Sequence, residues 1–227
     1  MTGAGPSCDN RTPRNPIESG RCYCHIRWIA MPASASMRLV KGWRMEKLER
    51  DRVLQCLAQS REMMVQAVEG LSPAQQSFRP APDRWSVADC VEHVTVVEAN
   101  ILKAIHRNLQ QPPGDKPDTN GKDQVILDSV PLRATRVKGP PAVMPNGRWP
   151  DFDECLRQFH AARQSTIGFA EATQANLRAW AFNHPFLGPL DCYQWLLLLA
   201  AHCERHVHQM EEVKSDPAFP RTIVRLT

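Results

Sequence analysis

Missing from this 227-residue chain is any run of about 18 apolar residues, so no segment reads as a transmembrane helix and no membrane partner is expected. A strong excess of one charge sign is missing too, once the chain is divided. Residues 1–44 carry seven Lys/Arg against two Asp/Glu, whereas residues 45–227 carry 21 against 22. A folded part of net charge −1 lacks the basic face that nucleic-acid binding needs, and nucleic acid is not expected as a partner. The start shows no apolar signal-peptide core. The eight cysteines (Cys8, Cys22, Cys24, Cys56, Cys90, Cys155, Cys192, Cys203) are scattered rather than grouped into a disulfide framework. That usage fits reduced, cytoplasmic thiols packing as small hydrophobes. Cys22-Tyr-Cys24-His25 looks like a fragment of a metal site, but no second ligand pair follows at zinc-finger spacing. No convincing strand appears either.

What is present is helical periodicity. Residues 1–44 are basic, Pro-containing and aperiodic, and cannot bury enough apolar surface to offset the entropy of ordering; they are expected to be a disordered N-terminal extension. Met45 stands directly before a clean helix, which fits a start codon assigned too far upstream, although an Arg-rich, acid-poor segment also has the composition of a targeting peptide. Residues 45–227 form the expected domain. Its first helix spans about 46–69, with Val53, Leu57, Met64 and Val68 on one face and Gly70 as its stop. After a Pro-punctuated connector, Ser86 caps a second helix reaching about 110, with Asp89 completing a capping box and Cys90, Val94, Val97, Ile101 and Ala104 inward. Residues 111–150 are rich in Pro and Gly and read as one long loop, of the kind that walls or covers a site. A third helix over about 151–172 buries Phe152, Leu156, Phe159 and Ile167, and a second connector at 180–189 leads to the fourth. Four long amphipathic helices make an all-α four-helix bundle, a fold that builds metal sites from side chains on facing helices.

The fourth helix carries the chemistry. Trp195, Leu198, Leu199, His202, His206, Gln209 and Val213 continue one buried stripe, so His202 and His206, four residues apart, can aim at a common point. Two readings stay open from spacing alone: core histidines hydrogen-bonded to carbonyls or carboxylates, or a metal-binding pair. His93 lies beside the apolar stripe of the second helix and is the candidate third ligand. His208 falls on the opposite side of its helix and reads as a surface residue. Gln209 sits near the metal face and could orient a substrate or hold a ligand in place. Glu98 and Glu204 are candidate acceptors for the ligands' distal N–H groups, and Arg205 is expected to pair with a neighbouring acid.

Trp85-Ser-Val-Ala-Asp-Cys-Val-Glu-His93 with Glu98, then His184-Pro-Phe-Leu-Gly188-Pro, Gln194-Trp195-Leu and His202-Cys-Glu-Arg205-His206-Val-His-Gln209, resemble the signatures of the DinB/YfiT-like family of four-helix-bundle metalloenzymes over about residues 45–220. The resemblance implies that His93, His202 and His206 bind one divalent metal, zinc or nickel foremost. It also implies a small-molecule substrate, with low-molecular-weight thiols such as bacillithiol and mycothiol among the co-substrates known in the family, and it is compatible with a homodimer. The function expected is a metal-dependent enzyme, an S-transferase or hydrolase activating a thiol or water. The alternative is a non-catalytic bundle stapled by metal, with a stress or interaction role.

Overall fold

Capping chemistry sets where the long helices begin. Ser86 Oγ accepts a hydrogen bond from the Asp89 amide at 3.1 Å while an Asp89 carboxylate oxygen accepts from the Ser86 amide at 2.7 Å, and Asp191 and Gln194 exchange the same pair of bonds further along the chain. The computed structural model describes residues 45–114, 118–133 and 139–221; the expectations for residues 1–44 and for the apolar tail at 223–226 lie outside the described residues. Four long helices follow from these starts: α1 (Lys47–Val68), α3 (Val87–Leu109), α5 (Phe152–Ala172) and α6 (Cys192–Lys214), with a one-turn helix α2 (Pro73–Ser77) before α3. They form the expected four-helix bundle.

Helix α6 packs against α1 and α3, and α5 packs against the same two helices from the other side. Hence α1 and α3 lie across one diagonal of the bundle and α5 and α6 across the other, so two of the three successive helix pairs are not neighbours, unlike an up-down-up-down bundle. This arrangement places α3 beside α6, the two helices that carry the candidate ligands.

The connection at 111–150 is not the single loop that its composition suggests. It contains α4 (Lys122–Ser129), which buries Ile126 and packs on α6, and a 3-10 turn at Pro141–Val143. The second connector likewise forms a β-hairpin, β1 (Ala181–His184) with β2 (Gly188–Asp191), pairing Phe182 with Leu190 and Asn183 with Pro189. Gly188 turns the chain at φ 67°, a left-handed conformation in which a Cβ is disfavoured. Both additions cover the face of α6 that a bare bundle would leave in water. That is why every residue from Cys192 to Ala201 is buried, and why the stretch from Trp195 to Ala201 is apolar all round.

The stripes differ in detail from the expected ones. On α3, Cys90 and Val94 are buried, but Val97, Ile101 and Ala104 are only partly so, and Val91, Glu98, Leu102 and Ile105 face the core. On α5 the buried line runs Cys155, Phe159, Arg163, Thr166 and Ala170, with Phe152, Leu156 and Ile167 at its edges. Arg163 is fully buried. Its guanidinium meets both carboxylate oxygens of Glu98, at 2.7 and 2.9 Å, and donates to the Leu57 carbonyl and Ser60 Oγ. This closed polar cluster joins α1, α3 and α5 at mid-bundle. Among the described residues no helix is long and apolar enough to cross a membrane.

Candidate metal centre

Just beyond the buried half of α6, the expected histidines converge. His93 from α3 and His206 from α6 are buried, His202 is partly exposed, and one ring nitrogen from each lies within 4.8 Å of the others. His202 Nε2 is 3.3 Å from His93 Nε2 and 3.2 Å from His206 Nε2. A tetrahedral ion at the usual 2.0–2.1 Å from imidazole nitrogens would space its ligand atoms about 3.3 Å apart.

Hydrogen bonding on the far side of two of the rings decides what points inward. His93 Nδ1 lies 2.7 Å from the Val143 carbonyl oxygen, which can only accept, so Nδ1 carries the proton and Nε2 presents a lone pair. His206 Nδ1 lies 3.1 Å from Gln209 Oε1, and the same oxygen accepts from Arg133 Nη1 at 2.9 Å. The guanidinium fixes the orientation of that amide, so His206 Nε2 is also an acceptor. His202 Nε2 can donate to at most one of its two neighbours. At least one lone pair is therefore left facing another nitrogen unless a cation is shared, and the three residues fit a divalent metal.

Protonation does not supply an alternative way out. Burial holds the pKa of His93 below the ordinary imidazole value; burial followed by the charge of the His93 ring holds His202 well below it, and burial followed by the charges of the His202 and His93 rings does the same for His206. Neutral imidazoles are the form in which histidine binds metals. Trp85 walls the group, its ring centroid 4.8 Å from that of His93 and stacked at 5.7 Å on His206. Of the three, His202 is the one partly exposed to solvent.

The matches to known proteins bear on the whole of this region. A sequence model of the DinB superfamily matches residues 57–210, which spans α1 to α6 and all three histidines. The chain belongs to the DinB superfamily. A curated relative, the uncharacterized protein YuaE of Bacillus subtilis (strain 168), is 22% identical over 148 residues, covering 65% of this chain and 88% of YuaE. Among solved structures, YfiT from Bacillus subtilis, described as "a probable metal-dependent hydrolase with an unusual four-helix bundle topology", aligns with a TM-score of 0.54 at 17% identity, covering 75% of this chain and 88% of YfiT. TT2238, described as a four-helix bundle protein, aligns at a TM-score of 0.48 and 20% identity over 72% of this chain and 98% of its own. The likeness to YfiT shows the four-helix-bundle fold and leaves the chemistry to the residues.

Several residues of this DinB-superfamily chain stand elsewhere than expected. Gln209 is the exception: it takes the second of its two expected roles, standing behind His206 with its oxygen shared between that ring and Arg133. Glu98 does not serve a histidine, because Arg163 takes both its oxygens. Among the described residues, Glu204 has its ion-pair contact with His208, at 3.9 Å. Arg205 donates to the carbonyls of Val130 and Leu132, anchoring the chain after α4 to α6. His208 is exposed as expected and contacts the Pro131 carbonyl. His184 accepts two backbone N–H groups in the hairpin turn, and Cys90 and Cys203 are buried thiols with pKa values raised by burial, Cys203 to about 11. Missed altogether were Val143, Arg133 and Glu92, all of which act from or upon the connection between α3 and α5. Only Glu92, beside His93 in sequence, carried any local signal.

Proposed function

We propose that the chain is a metal-dependent enzyme in which His93, His202 and His206 hold one divalent ion and a small-molecule electrophile is attacked by an activated water or low-molecular-weight thiol. The observation that carries this reading is the convergence of three imidazoles, with His202 Nε2 3.3 Å from His93 Nε2 and 3.2 Å from His206 Nε2 and the latter two fixed as acceptors by bonds on the opposite side of the ring. Three neutral nitrogen donors suit zinc or nickel. The chemistry such an ion supplies when bound is a water pKa lowered to about 7, or outright deprotonation of a thiol whose ordinary pKa is about 8.5. The residues around it have separate tasks. Val143 and Gln209 hold two rings in the binding tautomer, Trp85 walls the buried side, and the exposed edge at His202 is where a substrate would enter. A hydrolytic reaction is favoured by the fold's likeness to YfiT, described as a probable metal-dependent hydrolase; thiol transfer is supported by the family resemblance alone.

The test is turnover by tag-free protein loaded with zinc or nickel, against small esters and amides and against electrophiles offered with bacillithiol, mycothiol or glutathione. Metal-dependent turnover that disappears in His202→Ala is expected. A saturated metal whose X-ray absorption spectrum shows four protein ligands, with no turnover on any class, would support the stapled, non-catalytic bundle instead.

A further inference from the structure

We infer that Glu92 is a positioning residue for the metal site: it fastens the segment 139–148 to α3 and so sets the carbonyl that holds His93 in its ligand tautomer. The inference rests on the proposed His93–His202–His206 metal site and adds to it a residue that touches neither metal nor substrate.

Glu92 and His93 are neighbours on α3, and each takes one end of the same turn. The Glu92 carboxylate accepts from the amides of Asn146 at 2.8 Å and Gly147 at 2.9 Å and from Arg148 Nη1 at 2.6 Å. Arg148 in turn donates to the carbonyls of Met144 and Ala142 at 2.7 and 3.1 Å, bracing the turn internally. The near end of that braced unit is the Val143 carbonyl, 2.7 Å from His93 Nδ1. Packing closes the remaining freedom, since a Cβ built on Gly139 would lie 3.2 Å from Val143 Cγ2 and 3.7 Å from His93 Cε1. A segment with few apolar contacts is thus held through one buried carboxylate on its far side and one imidazole on its near side. Charge-assisted bonds of this kind are about twice as strong as neutral ones. Freeing the carboxylate end lets the Val143 carbonyl drift, and with it the His93 proton that keeps Nε2 an acceptor. The coupling is reciprocal: an ion that draws His93 Nε2 inward fixes Nδ1–H outward and so tightens the segment, by the same factor as the segment tightens the ion.

The experiment is a Zn2+ competition titration against a chromophoric chelator, using the full chain as wild type, Glu92→Gln, Arg148→Met and His93→Ala. Metal-free melting curves and trypsin cleavage at the Arg148–Trp149 bond are read alongside. Glu92→Gln is expected to weaken zinc binding about 10- to 100-fold, as does loss of other groups that hold a ligand from outside. Arg148→Met, which leaves the two amide bonds to Glu92, should weaken it less, and zinc should slow cleavage at Arg148–Trp149 in wild type more than in Glu92→Gln. If Glu92→Gln is unfolded by circular dichroism, Arg148→Met carries the test by the same readouts. Wild-type zinc affinity in both variants, with melting temperatures lowered equally with and without zinc, would make Glu92 a purely structural anchor and overturn the inference. Failure of wild type itself to bind zinc above the His93→Ala background would overturn the metal reading first and this inference with it.

Discussion

Two polar clusters sit in the same bundle and satisfy themselves in opposite ways. At mid-bundle, Arg163 and Glu98 cancel each other's charge, and the guanidinium also spends donors on Leu57 and Ser60. Beyond the apolar half of α6, His93, His202 and His206 point lone pairs at one another with no internal donor able to serve them all. A closed cluster is complete without anything from outside, whereas a cluster of convergent acceptors is complete only with a cation. The first staples α1, α3 and α5; the second is where chemistry can enter. On the proposed reading the difference also separates stability from function: breaking the first should cost the fold, and breaking the second should cost only a bound ion.

The largest expected effect follows from the closed cluster. Arg163→Met leaves Glu98 buried without its partner and should lower the unfolding free energy by about 3–5 kcal/mol in urea. Adding Glu98→Leu removes the orphaned charge as well and should recover most of that loss, since apolar pairs often replace buried ion pairs at little cost. A double variant no more stable than Arg163→Met would mean that the cluster does more than balance a charge.

Next in size is the effect of metal. Zinc at about 100 times its dissociation constant should stabilise wild type by about 2.7 kcal/mol and leave His202→Ala unmoved. In the absence of metal, His202→Ala should lie within about 1 kcal/mol of wild type, because His202 is partly exposed and its removal relieves facing acceptors. A metal-free His202→Ala protein destabilised as severely as Arg163→Met would erase the distinction between the clusters. Smaller again is Gln209→Ala, which removes the acceptor on His206 Nδ1 and should weaken zinc binding about tenfold while leaving the metal-free melting temperature close to wild type.

Smallest is removal of residues 1–44. Their composition argues for dispensability, and the chain 45–227 should melt within about 2 °C of the full chain. A drop of more than about 5 °C, on the order of 1 kcal/mol or more in a domain of this size, would show that the segment packs on the bundle.

The two clusters were not equally legible in the sequence. His202 and His206 announce themselves by an i, i+4 repeat on an apolar stripe, and the Ser86–Asp89 capping box, Gly70 and the apolar periodicity placed the ends of the first three long helices within a residue or two of those observed. Arg163 announced nothing, although the stripe Phe152, Leu156, Phe159, Ile167 skips the position four residues after Phe159, where another apolar residue would be expected. A charge at such a gap signals a buried partner elsewhere, here Glu98, and only the fold reveals which. α4 escaped because its single buried residue, Ile126, gives no stripe. The hairpin escaped because its strands are four residues long and one contains Pro189, a residue that usually argues against a strand. Yet the apolar run from Trp195 to Ala201 has no polar face, and that alone required some further element to cover α6.

The most direct test of the central claim is metal content after dialysis against a mild chelator, measured on tag-free protein in which His93, His202, His206, His160, His184 and His208 are each replaced by Ala. The three convergent histidines should each lose most of the ion that wild type keeps at close to one per chain, and to a similar degree, because each contributes one donor to the same centre. His160, His184 and His208, which lie at the surface or in the hairpin turn, should retain it. Full metal content in His93→Ala would contradict the account, since α3 would then supply no ligand even if α6 still bound an ion.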